Sequence, residues 1–219
     1  MSARSDVPKQ YLEIGAKPVL SYSINTLASL PFIGEIIVVA ASEWLEHCKT
    51  NIIDPFVSQS AVNIKLVNGG ETRQESSRNG VIASTLPYVM IHDGARPFVS
   101  AEEIERLYSC MIAEGAAILA TPITDTVKEL SETRPARIKR TVERSFLWAA
   151  ATPQAFERET LLNAYDMALK LSFSGTDDAS LLEHAGASVT IVEGSRKNIK
   201  ITTIDDLIYA DFLVRRDEN

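Results

Sequence analysis

Short apolar runs of strand length alternate along this chain with segments of helical spacing, and no other feature limits its fold so strongly. Residues 36–41, 62–67 and 88–92 are rich in β-formers, and 116–123 is apolar throughout, as expected of a strand buried on both faces. Between them, 19–30, 43–56, 73–83 and 101–113 place apolar residues at helical intervals. Such alternation implies right-handed βαβ units, hence an α/β fold with a mostly parallel sheet and helices on both faces. At 219 residues, 45% of them apolar, the chain suits a single domain with a sizeable core.

The pattern changes after Pro122. Residues 125–130 and 137–143 have strand character and are joined by a polar stretch. Five cationic residues fall from Arg134 to Arg144, poor material for a central strand. The expectation is a β-arm projecting from the sheet over about 124–146, with a solvated loop as the alternative. Helices at 157–171 and 177–184, strands at 188–192 and 199–202, and a helix from Ile204 complete the expected order.

Composition removes several function classes. Lys plus Arg number 22 against 29 for Asp plus Glu, a formal net charge of -7, which argues against sequence-blind nucleic-acid binding. A local cation cluster can still take a small anion. No apolar run approaches the roughly 20 residues of a membrane span, and charges interrupt the first twenty residues, unlike a secretory leader. Cys48 and Cys110 have neither metal nor redox spacing. A reduced, cytoplasmic protein is expected.

Two loops carry chemistry. In Asn68-Gly69-Gly70-Glu71-Thr72-Arg73-Gln74-Glu75-Ser76, Thr72 and Glu75 have the spacing of a capping box, so a helix should begin at Arg73. Glycines before a helix N-terminus admit a ligand, and free N–H groups there favour an acceptor or anion; a plain βα turn is the alternative. His92-Asp93-Gly94-Ala95-Arg96-Pro97 follows the strand at 88–92, where open α/β sheets collect ligands. Asp93 can accept from a ribose hydroxyl or hold Mg²⁺ through water, Gly94 admits a sugar, and Arg96 can grip phosphate. Alternatively Asp93 and Arg96 form a local ion pair, and His92 is a satisfied imidazole. Thr152-Pro153-Gln154 is expected to be a turn, and Thr176-Asp177-Asp178 a helix cap. No nucleophile–base pair or His/Cys metal cluster stands out.

These runs, with Pro8-Lys9-Gln10-Tyr11, Asp125-Thr126, Thr141-Val142-Glu143-Arg144, Leu147-Trp148, Thr176-Asp177-Asp178-Ala179-Ser180 and Asn198-Ile199-Lys200, resemble the 2-C-methyl-D-erythritol 4-phosphate cytidylyltransferases. The resemblance spans nearly the whole chain. It implies a Rossmann-like fold, a homodimer of interlocked arms, and conversion of CTP and methylerythritol phosphate to CDP-methylerythritol and pyrophosphate with Mg²⁺. By similarity, Gly70, Glu71 and Ser76 would meet cytosine, and Asp93 and Gly94 the ribose. Lys9 would stabilise the transition state. Arg144 and Lys200 would hold the polyol phosphate, helped by Thr126, Thr152 and Thr176, with Thr126 and Arg144 donated by the partner's arm. Arg73 and Arg96 would serve structure or phosphate, and no residue is assigned to the metal. A ribitol 5-phosphate cytidylyltransferase and an inactive nucleotide-binding homologue are the alternatives.

The family opens with an apolar strand and a Gly-rich loop that wraps the triphosphate. Residues 1–8 contain neither, and the first glycine is Gly15. The expectation is that the true start lies upstream, with a weakly active homologue as the alternative.

Overall fold

The alternation becomes, in chain order, β1 (Glu13–Ile14), β2 (Lys17–Pro18), α1 (Val19–Ala28), β3 (Glu35–Ala40), β4 (Asn63–Asn68), α2 (Arg73–Ala83), β5 (Tyr88–Ile91), α3 (Ala101–Glu114) and β6 (Ala116–Pro122). There follow β7 (Lys128–Thr133), β8 (Ala136–Thr141), β9 (Trp148–Glu157), α4 (Arg158–Lys170), α5 (Asp178–His184), β10 (Thr190–Glu193) and α6 (Ile204–Asp217). The structure, a computed structural model, describes residues 7–57 and 62–217.

The helices start where side chains can satisfy the free N–H groups of their first turns. Thr72 with Glu75, Ser100 with Glu103, and Asp177 with Ser180 form reciprocal capping boxes at α2, α3 and α5. Gly115 ends α3 at φ 84°, a left-handed conformation that glycine takes without a Cβ penalty. The helix expected over 43–56 forms as one mixed run, 3₁₀ at Ser42–Trp44, α at Leu45–His47, a π turn at Cys48–Ile53 and α again at Asp54–Phe56. Pro55 lacks an N–H and cannot continue regular i−4 bonding.

The largest sheet has the order β10–β6–β9–β5. β10 is parallel to β6, while β9 runs antiparallel to both β6 and β5, so three of the four strands share one direction. The turn expected at Thr152-Pro153-Gln154 is therefore wrong: these residues lie inside β9. Pro153 is tolerated because the β6–β9 register shifts between Ile118 and Ala120, opening the ladder where its N–H is missing. The expected strand at 199–202 is also absent; that segment is a loop tied down by Ile201 N–H to Ala95 O. The paired segments of β7 and β8 do form an antiparallel hairpin.

Helices cover the sheet. Phe156, Leu161, Tyr165, Leu181 and Leu182 form one core, and Ile104, Leu107, Met111 and Leu119 another. Each such side chain contributes roughly 1.5–3 kcal/mol by leaving water. β3 and β4 pair in parallel as a separate two-stranded sheet. Between β3 and β5 runs a cleft of about 800 Å³, lined along its length by Ile36–Val39 and Tyr88–Ile91. Gln10 and Gly94 stand at the end where β5 gives way to its ligand loop.

Candidate active site

Asp93 stands two residues past the end of β5, and its carboxylate is the hub of the site. Oδ2 lies 2.8 Å from Lys200 Nζ and 3.7 Å from Arg96 Nε, and Oδ1 lies 3.7 Å from Arg73 Nε. Burial alone would raise the Asp93 carboxyl. The hydrogen bond and charge of Lys200, with Arg73 and Arg96 beyond, outweigh it and hold the group below the usual carboxylate range.

Lys200 reaches Asp93 from over a hundred residues away because its loop is sewn to the Asp93 loop. Arg96 Nη1 donates to Asn198 O at 2.7 Å, and Ile201 N–H to Ala95 O at 2.9 Å. Asn198 Nδ2 donates to Thr152 O at 2.8 Å. Arg96 Nε and Asn198 Oδ1 are buried with no hydrogen-bond partner among the described residues. A bound ligand or water would satisfy them.

Arg73, the first residue of α2, spans from Asp93 to α5, where its Nη2 lies 2.9 Å from Asp178 Oδ2. The Asp178 side chain is only 1% exposed, and Tyr165 OH donates to its Oδ1 at 2.6 Å. Burial, with Asp178 beside it, pushes the Tyr165 phenol far above its ordinary range. Gln154 fixes α5 from below: Oε1 accepts from Asp178 N–H and Ala179 N–H, and Nε2 donates to Asp177 Oδ2 at 2.7 Å.

The glycine loop takes the second of its two expected forms, a plain capped βα turn. Gly70 N–H is taken by Ser76 Oγ at 3.0 Å, and the N–H groups of Glu71 and Thr72 by Glu75 Oε2 at 2.8 and 3.2 Å. These groups are not free for an anion. The glycines serve close packing instead: a Cβ on Gly70 would lie 2.3 Å from Glu75 Cβ. Glu71 is exposed beside Gly70.

Asp93, Gly94, Arg73, Arg96, Lys200, Ser76 and Thr152 thus converge around the carboxyl end of β5. Lys9 is exposed, next to Gln10, which packs 3.7 Å from a Cβ built on Gly94. Thr176 is exposed at the entry to α5. Thr126 and Arg144 are not brought in: they sit exposed at the base of the hairpin, where Arg144 Nη1 donates to Thr124 O. Asp178, Tyr165 and the bridging role of Arg73 were missed in the sequence, although Asp178 stands in a quoted motif. The pairing of residues 105 apart leaves no local signature.

No group of three His, Cys, Asp or Glu side chains suited to a metal occurs among the described residues, nor does any helix there have the length and apolarity to cross a membrane.

A carboxylate ringed by three cations thus lies beside a glycine-rich turn at the carboxyl edge of an α/β sheet, where such folds collect ligands. The family model described as IspD: 2-C-methyl-D-erythritol 4-phosphate cytidylyltransferase matches residues 2–216. The chain is 42% identical to the enzyme of that name from Caldanaerobacter subterraneus subsp. tengcongensis, over 95% of this chain and 91% of that one. It is 40% identical to the one from Dictyoglomus thermophilum, over 99% and 94%. The crystal structure of 4-diphosphocytidyl-2C-methyl-D-erythritol synthase from Anaerococcus prevotii superposes with a TM-score of 0.86 at 31% identity, covering 96% of this chain and 92% of that one. The chain belongs to the 2-C-methyl-D-erythritol 4-phosphate cytidylyltransferase family.

Proposed function

We propose that this chain transfers a cytidylyl group from CTP to 2-C-methyl-D-erythritol 4-phosphate, acting in the cytoplasm as a homodimer. A phosphate oxygen of the polyol attacks the α-phosphorus, the bond from that phosphorus to the bridging oxygen of the β-phosphate breaks, and pyrophosphate leaves with the electron pair. Two polyanions must meet, so charge placement and alignment carry the catalysis and no covalent enzyme intermediate is needed. The observation that carries this reading is the Asp93 cluster, which gathers Lys200, Arg73 and Arg96 within 3.7 Å of one carboxylate.

In this reading Gly70, Glu71 and Ser76 face the cytosine, and Asp93 and Gly94 the ribose. Lys9 approaches the triphosphate, and Lys200 and Thr176 the polyol phosphate. Thr126 and Arg144 join from the partner's arm; the exposure of Ile138 (64%) and Phe146 (86%) on and beside the hairpin supports such a cover. The protein's donor set suits Mg²⁺ only as an ion carried mainly by the triphosphate, which is the usual manner of its binding beside phosphates. Bound there, it would offset charge on the phosphates.

Both β3 and β5 line the cleft and neither pairs with the other; its end beside Gln10 and Gly94 is where the triphosphate lies in this reading.

Pyrophosphate release measured with methylerythritol phosphate and with ribitol 5-phosphate tests the function. Preference for the first is expected; equal or greater turnover of ribitol 5-phosphate would overturn the substrate assignment.

A further inference from the structure

The protons around His92 can be placed one by one. Its Nε2 lies 2.9 Å from Arg96 O, an atom that can only accept, so Nε2 carries the hydrogen. A neutral ring then offers Nδ1 as an acceptor, and Thr152 Oγ1, 3.1 Å away, donates to it. That uses the only proton of the Thr152 hydroxyl. Its oxygen accepts from Asp93 N–H at 2.9 Å. Burial favours this neutral state, pushing the imidazole down to about 4. Thr152 is itself buried, at 5% exposure, inside β9.

We propose that His92 and Thr152 are positioning residues: the ring of His92 accepts a hydrogen bond from the Thr152 hydroxyl, which turns the Thr152 oxygen to the Asp93 amide and sets Asp93 for the nucleotide. This deepens the functional reading above and rests on it for the placing of Asp93 at the ribose. It also changes the role of Thr152, whose hydroxyl proton is committed to His92 and not offered to a polyol phosphate. The Asp93 carboxylate is steadied separately by Lys200, Arg73 and Arg96, so the relay governs the backbone of residue 93 and with it the direction in which the side chain leaves.

Substitution at His92 can separate the two ring nitrogens. Asparagine places an acceptor near the Nδ1 position and drops the bond to Arg96; glutamine places a donor near the Nε2 position and drops the bond to Thr152. Cytidine affinity by calorimetry and KM for CTP are read for His92→Asn, His92→Gln, His92→Leu, Thr152→Ser and Thr152→Val. The expected result is that His92→Asn and Thr152→Ser stay within about threefold of the parent, while His92→Gln, His92→Leu and Thr152→Val lose tenfold or more. The double variant His92→Leu/Thr152→Val should be no worse than either single change, because the two act as one unit. Retention by His92→Gln with loss by His92→Asn would overturn the inference, as would additive losses in the double variant or a rise confined to KM for the polyol phosphate. Failure of the parent to bind cytidine would refute the functional reading itself. Binding by the parent and equally by every variant would refute the relay alone.

Discussion

Replacing Arg73 by Met should destabilise the protein by about 3 kcal/mol, and the reason is an asymmetry in burial. The Asp178 side chain is 1% exposed and the Arg73 side chain 40%. Without Arg73 the carboxylate stays enclosed with Tyr165 OH and no cation. Removing one partner of a buried pair typically costs 3–5 kcal/mol, and the lower end applies because the guanidinium is half in water already. For a chain of this size, about 3 kcal/mol lowers the melting temperature by roughly 6–12 °C. The opposite change, Asp178→Asn, strands a cation that can turn to solvent, so about 1–2 kcal/mol is expected from the lost charged hydrogen bond. Adding Asp178→Asn to Arg73→Met should then recover more than half of the first loss. Thermal and urea melts at pH 7 followed by circular dichroism test all three variants. An Arg73→Met protein melting within about 2 °C of the parent, or a double variant less stable than Arg73→Met, would refute the reasoning.

Three further outcomes follow from the same geometry. His92 titrates near 4 in the fold and near 6.5 unfolded, so the stability it contributes is complete above about 6.5. It is lost as pH falls towards 4. Urea melts should show about 2 kcal/mol of that loss, allowing for partial exposure, and His92→Asn should flatten the slope. Gly70→Ala forces a Cβ to 2.3 Å from Glu75 Cβ. It should cost about 1–3 kcal/mol and weaken cytidine binding about tenfold, read by melting and calorimetry. For the homodimer proposed above, Ile138→Lys in the exposed arm should lower the mass seen in light scattering to that of a single chain; a parent of single-chain mass would refute the dimer, and an unchanged larger mass would remove the arm from its contact.

The local signals were dependable where the cause was local. The helix at Arg73 was legible because Thr72 and Glu75 close their hydrogen bonds within one turn. β6 was legible because a strand enclosed on both faces tolerates only apolar side chains there. The hairpin was legible from charges that a central strand would exclude. Thr152-Pro153-Gln154 misled because proline and polar neighbours usually mark a turn, and only the irregular register against β6 makes room for them in a strand. Of the two readings of the glycine loop the plain capped turn is the one that formed: Glu75 serves the amides of Glu71 and Thr72 and Ser76 that of Gly70, which spacing alone does not reveal. The short hairpin of β1 and β2 carried no warning in the pattern. It is fastened by Gly15 N–H to Asp211 Oδ1 at 2.9 Å, almost the whole chain away.

The amino-acid order alone settled the α/β alternation, the caps, and the family to which the chain belongs, since these depend on residues close together or on motifs kept in a fixed succession. Tertiary structure decided what the motifs are to one another. Coulomb attraction and hydrogen bonding act over a few ångströms of space, whatever the distance along the chain. Only folding brings Lys200 to Asp93, Arg73 to Asp178, and the proton of Thr152 to His92.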